Sequence, residues 1–450
     1  MAGWPAACNP CDMLRNVVLL TASSLVLWPS GCKPSAVIAP PTLKLDADHP
    51  TAVLVRADLP DADCALHWSA DGAQPAGASL NAQMDGDALV GTLLGLPTDT
   101  TVTVTLKCPQ GSSPDATITT APLDDDVPTV IVTTAASGLT ESFFLHEWFQ
   151  AGPSGFLTIE DLNGRVVWWE SQGTRTATHA HVDPETHSVY AVEHGYNEAD
   201  GLVIAPMTGP ASRWMIPGAH HDSLALGAGR YLIAVTVDKE VDGELIAGDD
   251  LVVLDTADGS TTVVWDSFDQ LAITRNNGWD FRRFNGAADW THLNGLNMDP
   301  DTGKIYASLY WAGAVVQIDP NTWQTDWVLG GTESAFRIDE PFGPQHSPVR
   351  VGDTLWLFDN GSDSAAGSRL ARYTVDEATW TATRTWTWQE DPPVMDIVLG
   401  SVEPHEDAMI ASWGDSGTIR ILDVQSEVIG EYDLGERNQV GYTSLLESLQ

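Results

Sequence analysis

Basic residues are scarce in this 450-residue chain: 21 lysines and arginines stand against 62 aspartates and glutamates, for a formal charge of −41. A surface so one-sidedly anionic repels phosphate backbones and anionic headgroups, which excludes nucleic acid and a charged membrane surface as partners. The acidity otherwise reports solubility or salty surroundings. Acidic turns such as "DPDTGK" (299–304) carry oxygens suited to Ca²⁺, but no full EF-hand ligand series follows. Cysteine is sparse too, five in all, and Cys8 and Cys11 form one CxxC with no second pair, so neither zinc nor redox chemistry is read there. The apolar stretch Val17 to Leu27 is too short for a stable transmembrane helix. His-Glu-x-x-His, Gly-x-Ser-x-Gly and GxxxxGK are all missing, which leaves zincin-protease, α/β-hydrolase and P-loop readings without support.

What is present starts with a leader. From Met13, the expected true start, one arginine precedes the apolar stretch, and small residues follow before Cys32; residues 1–31 read as a signal peptide. The ending "PSGC" resembles a lipoprotein signal, in which Cys32 becomes the lipidated first residue of a short linker (32–37), although Pro29 departs from the usual Leu or Val. An exported, periplasmic or cell-surface lipoprotein is expected, touching the membrane only through that anchor. The remaining pair, Cys64 and Cys108, suits a disulfide in an oxidising compartment.

The fold class reads as all-β. Residues 38–122 hold short alternating runs, "TAVLVRADL", "CALHWSA", "ALVGTLLGL" and "TVTVTLKC", separated by Asp, Pro and Gly turns, the outline of a small immunoglobulin- or fibronectin-like β-sandwich with Trp68 near its cysteines. A polar, Pro-containing linker (123–129) follows. From residue 130 to 450 a unit recurs with a period of roughly 45 residues, about six times, as expected for a six-bladed β-propeller. Its marks are an apolar strand ("SVYAVEH", "RYLIAVTVD", "KIYASLYW", "DTLWLFDNG", "DAMIASWGDSG") and a later strand rich in tryptophan ("DLNGRVVWWES", "DPNTWQTDWVLGG", "DEATWTATRTWTWQE").

Aligning the units sets His181, His221, His292 and His346 at nearly one phase, each shortly ahead of an inner-type strand. In a propeller that phase faces the axis, so imidazoles of different blades converge on one small volume. Imidazole is a base and nucleophile near neutral pH, and imidazolium an anion clamp. His49, His67, His146, His187 and His405 fall outside this pattern and read as structural.

The segment "DWTHLNGLNMDPDTGKIYASLYWAGAVVQIDPNTWQTDWVLGG", followed by "FGPQHSPVRVGDTLWLFDNG" and "LGSVEPHEDAMIASWGDSG", resembles the bacterial arylsulfate sulfotransferase family, and the likeness runs through most of residues 138–445. The resemblance implies a six-bladed propeller that moves a sulfuryl group from an aryl sulfate to a phenol without the nucleotide donor PAPS and without a cofactor. Its ping-pong route passes through a sulfohistidine. By position His346 is the nucleophile, and His292 binds sulfuryl oxygens and helps protonate the leaving phenolate. His221 matches a third histidine, although His220 stands beside it. Trp311, Trp290, Asn294 and His181 are candidates for substrate contact, the tryptophans by stacking on aryl groups. One departure stands out: Trp311 occupies the place of the family's sulfate-clamping arginine, leaving Arg282, Arg283 or Arg350 as substitutes. Two other classes of function compete, a binding or scaffolding propeller without catalysis and a metal centre built from the converging histidines. No metal ligand set and no oligomeric state are assigned from the sequence.

Overall fold

Alternation writes the first two sheets. In Val53–Asp58 the residues Val53, Val55 and Ala57 turn inward while Arg56 and Asp58 meet solvent, and Thr101–Cys108 repeats the pattern with Val102, Val104 and Leu106. The computed structural model describes residues 38–59, 63–71, 75–149, 155–195, 200–283, 285–361, 366–435 and 438–450. The leader and Cys32 lie outside the described residues. One sheet runs Thr42–Leu45, Val53–Asp58, Ala88–Leu94, Ser79–Asp85. The other pairs Ala65–Ala70 with Thr101–Cys108, which also pairs Gly111–Ser112 and Ala116–Thr119. Val53, Val55, Leu93, Leu96, Val102 and Val104 form their common core, and the Cys64–Cys108 disulfide closes one end.

Among the described residues six further sheets span residues 131–446, antiparallel except where the two-residue strands Ala288–Asp289 and Arg337–Ile338 pair in parallel. Five have a first strand at the inside: Arg175–Val182, Ala219–Gly227, Leu293–Met298, Gln345–Val351 and Ser401–Pro404. Each of these packs against the next, and the cycle closes through Thr443–Leu446 and Phe143–Trp148. Strands from the two ends of the 131–446 segment make that closure. The C-terminal Thr443–Leu446 is the inner strand of the first sheet, beside Phe143–Trp148, and Ile131–Thr134 adds an outer strand to the sixth, beside Val428–Asp433.

Two irregularities recur around the ring. Between the two outer strands of five sheets the register slips once, at Ile159/Glu160, Leu251/Val252, Gln317/Ile318, Arg372/Tyr373 and Ile421/Leu422. These bulges add local twist, and the aromatic residues of the outermost strands (Trp168, Trp265, Trp327, Tyr432) are buried beside them. A second bulge sits at the head of three inner strands, at Ala219/Ser223, Leu293/Gly295 and His346/Val349, and inside a fourth, at Thr178/His181.

The N-terminal sheets dock on the ring through buried polar contacts. His49 stacks on Trp168 at 5.0 Å and its Nδ1 lies 3.1 Å from the Trp169 carbonyl; the Thr51 hydroxyl donates to Val167 O at 2.7 Å. The disulfide closes a loop with a sequence separation of 44. Cys64→Ser/Cys108→Ser is expected to lose about 3–4 kcal/mol of the stability of this part of the chain. Urea unfolding followed through a probe on the N-terminal sheets measures it.

Candidate active site

The head-of-strand bulges decide where the histidines point. His179, His221, His292 and Ser347 each take a left-handed backbone, with φ between 49° and 55°. For residues with a side chain this costs roughly 1–2 kcal/mol. The strained position in the second sheet is therefore His179 and not His181, and in the fifth sheet it is Ser347, one residue after His346. The single phase expected for His181, His221, His292 and His346 is not what the backbone adopts. His221, His292 and His346 nevertheless line one cavity of about 520 Å³, with Tyr310, Trp311, Phe281 and Asp415. His181 does not line it. It lies beside Asp222, with its ring 4.6 Å from Tyr442.

Each cavity histidine is held by a partner at Nδ1. Asn360 donates both hydrogens of its amide nitrogen to main-chain oxygens, Asp396 at 2.8 Å and Leu399 at 3.0 Å, so its Oδ1 is left to face His346 Nδ1 at 2.8 Å. An acceptor there requires the proton on Nδ1 and leaves the Nε2 lone pair free. Burial pushes the His346 imidazole down to about 3, against the effect of its hydrogen bond to Asn360, so the ring is neutral at ordinary pH. His292 Nδ1 donates to Asp289 Oδ2 at 2.6 Å. Burial alone would raise the Asp289 carboxyl, but the His292 hydrogen bond and the charges of His292 and Arg283 hold it below its usual value.

His221 is held by a relay. Its Nδ1 lies 2.9 Å from Nδ1 of His220, whose Nε2 lies 2.9 Å from Asp249 Oδ1, too bent for a straight hydrogen bond. A proton on His220 Nε2 faces the carboxylate favourably, so His220 Nδ1 accepts from His221 and the His221 Nε2 is left free. Burial and the neighbouring imidazoles of His292 and His220 push His221 well below its ordinary value. The rings of His221 and His292 meet edge to face at 4.8 Å, and Tyr310 stands 5.3 Å from His346.

The rest of the wall is apolar and aromatic. Trp311 packs on Phe281 at 5.4 Å and on Tyr310 at 4.9 Å, and Phe281, Ile397 and Val398 remain exposed at the mouth. The Trp311 indole N–H donates to Asp289 Oδ2 at 3.1 Å.

The family model Arylsulfotransferase (ASST) matches residues 129–440. The chain belongs to the arylsulfotransferase family. No curated protein matches it. Similar solved structures include an auxiliary nutrient binding protein from Bacteroides ovatus, 13% identical over 91% of this chain and 90% of that one with a TM-score of 0.39. TolB from Acinetobacter baumannii is 9% identical over 81% of each chain, with a TM-score of 0.41.

In this arylsulfotransferase family member none of the substitute arginines enters the cavity. Arg283 is spent on Asp289 Oδ1 (3.0 Å) and the Thr236 hydroxyl (2.6 Å), Arg282 lies by Glu244, and Arg350 bonds the Gly352 carbonyl far along its strand. No lysine or arginine lines the cavity among the described residues. Two other expected contacts lie elsewhere. Trp290 is buried with Ile246, Trp279 and Ala288, and Asn294 donates to Gln345 O at 2.8 Å, fixing the main chain next to His346. Sequence reasoning missed Asn360, Asp289, His220 and Tyr310; of these, Asn360 and Asp289 stand inside the quoted "LFDNG" and "DWTH" motifs.

The His346 shift carries a stability consequence. A histidine whose folded value lies below its unfolded value of about 6.5 takes up its proton first in the unfolded chain, so its contribution is full above that pH and is lost as pH falls toward 3. His346→Gln is expected to flatten the acid limb of the stability curve between pH 6 and 4 by up to about 1.4 kcal/mol per pH unit. Denaturant titrations at stepped pH measure the slope.

Proposed function

We propose that this chain is an exported, PAPS-independent arylsulfotransferase that moves a sulfuryl group from an aryl sulfate to a phenol by a ping-pong route through a sulfohistidine on His346. The observation that carries this reading is the Asn360–His346 bond, which leaves an uncharged imidazole with a free Nε2 in an aromatic-walled cavity. In the first half-reaction Nε2 attacks sulfur, the N–S bond forms and the S–O(aryl) bond breaks. The electron pair leaves on the phenolate, which takes the proton from Nε2 of a His292 imidazolium paired with Asp289. The sulfated ring keeps its Nδ1 proton, hydrogen-bonded to Asn360 Oδ1. In the second half-reaction an acceptor phenol gives its proton to His292 and attacks sulfur, the N–S bond breaks, and neutral His346 returns. Phe281 and Trp311 hold the aryl group, and His221 packs edge to face on His292 beside them.

In this reading the six sheets of the ring are the six blades of a propeller, and the two N-terminal sheets are an immunoglobulin- or fibronectin-like sandwich. A signal peptide ending at a lipidated Cys32 then sets that sandwich between the membrane and the catalytic ring.

The experiment is mass spectrometry of the mature protein after brief exposure to 4-nitrophenyl sulfate. Wild type is expected to gain one SO₃ group on His346 and release nitrophenol; His346→Ala is expected to lose the adduct and about three orders of magnitude or more of turnover. Absence of both the adduct and nitrophenol release from wild type overturns the proposal. A binding role is then favoured, since the cavity has Asp415 on its wall and lacks lysine and arginine among the described residues. A second variant addresses the missing clamp. Trp311→Arg places a fixed cation beside the sulfuryl oxygens and is expected to raise kcat/KM for the aryl sulfate at least about tenfold, measured by steady-state nitrophenol release.

A further inference from the structure

A second histidine group lies outside the cavity, and the transfer chemistry does not use it. His179 and His181 come from the inner strand Arg175–Val182, and Asp222 comes from Ala219–Gly227 of the neighbouring sheet. We propose that His179, His181 and Asp222 form a Zn²⁺ site that braces the second and third sheets of the ring.

Three observations carry it. One nitrogen of each ring and a carboxylate oxygen all lie within 4.8 Å of one another. A tetrahedral ion with bonds of about 2.0–2.1 Å sets its ligands roughly 3.4 Å apart, so a modest inward movement closes the set. Second, His179 is fully buried, yet neither ring nitrogen has a hydrogen-bond partner; its Nδ1 sits 3.1 Å from Asp222 Oδ2 but outside hydrogen-bond alignment. An unsatisfied buried imidazole is costly, and coordination through Nδ1 removes part of that cost. Third, the bulge at Thr178/His181 and the left-handed φ of His179 bring both histidines of the strand to Asp222.

The carboxylate is already oriented. Asp222 Oδ2 accepts the Leu296 N–H at 2.6 Å and Oδ1 accepts the Ser223 N–H at 2.7 Å, the outer support usual around metal ligands. Two imidazoles with one carboxylate select a transition ion over Ca²⁺ or Mg²⁺. Coordination through His181 Nε2 replaces its 2.8 Å hydrogen bond to Asp222 Oδ1, with the ring's proton then carried on Nδ1.

The test is elemental analysis of the full chain purified without chelators, followed by stripping and titration with Co²⁺. One Zn²⁺ per chain is expected, with strong visible Co²⁺ bands on replacement. His179→Ala and Asp222→Asn are expected to weaken binding at least about 100-fold, whereas His346→Ala keeps the ion. Should either ligand variant fail to fold, the wild-type Co²⁺ spectrum decides. No retained metal and no visible Co²⁺ bands overturn the proposal, leaving a hydrogen-bonded His–Asp pair. An ion lost in His346→Ala but kept in His179→Ala also overturns it, by placing the metal in the cavity.

Discussion

Exchange of strands between the first and sixth sheets holds the ring together. Thr443–Leu446 completes the inside of the first sheet and Ile131–Thr134 the outside of the sixth, so first and last sheets are each built from distant parts of the chain. Without that exchange, inner and outer edges of these sheets would expose unpaired backbone groups, and nothing covalent would keep the inner strands in a circle. The cavity depends on the circle. Its wall draws on Phe149 and Gln439 from either side of the seam as well as on His221, His292 and His346 from the third, fourth and fifth sheets.

Within the ring, the head-of-strand bulges turn a repeated structural unit into a site. A regular strand sends successive side chains to opposite faces, which leaves neighbouring residues unable to serve one volume. The left-handed residue at each bulge breaks that rule. His220 and His221, adjacent in sequence, thereby meet ring to ring, one on the Asp249 side and one on the cavity side. The strain is small beside the hydrogen bonds that fix it, since Asp249 Oδ2 also accepts from the Thr291 hydroxyl and the Leu293 N–H.

The charge of the cavity is set by protonation rather than by fixed cations. In a chain of −41 net charge, a sulfate ester meets a long-range field of its own sign. Local compensation must come from imidazoles. Burial keeps His346 and His221 uncharged, and His292 donates to Asp289, which also receives Arg283 and the Trp311 indole. Trp311 thus gives the wall an aromatic face and gives the carboxylate that orients His292 a neutral donor.

The sequence alone determined the all-β class, the family and four of the cavity residues, His221, His292, His346 and Trp311. Repeating strand and turn chemistry is local, and "DWTH" and "PQHS…LFDNG" keep their histidines next to the strands that carry them. Tertiary structure decided the rest. Trp290 and Asn294 sit in or beside the first of these motifs, and His181 in the matching stretch of another unit, yet all three face other neighbours; for His181 and Asn294 a one-residue bulge intervenes, and no periodicity announces a bulge. Protonation was equally out of reach: the tautomer of His346 rests on Asn360, and that amide's orientation rests on the carbonyls of Asp396 and Leu399, about forty residues further along the chain. Spacing places an imidazole at the mouth of a strand; only the folded ring determines which of its nitrogens is free.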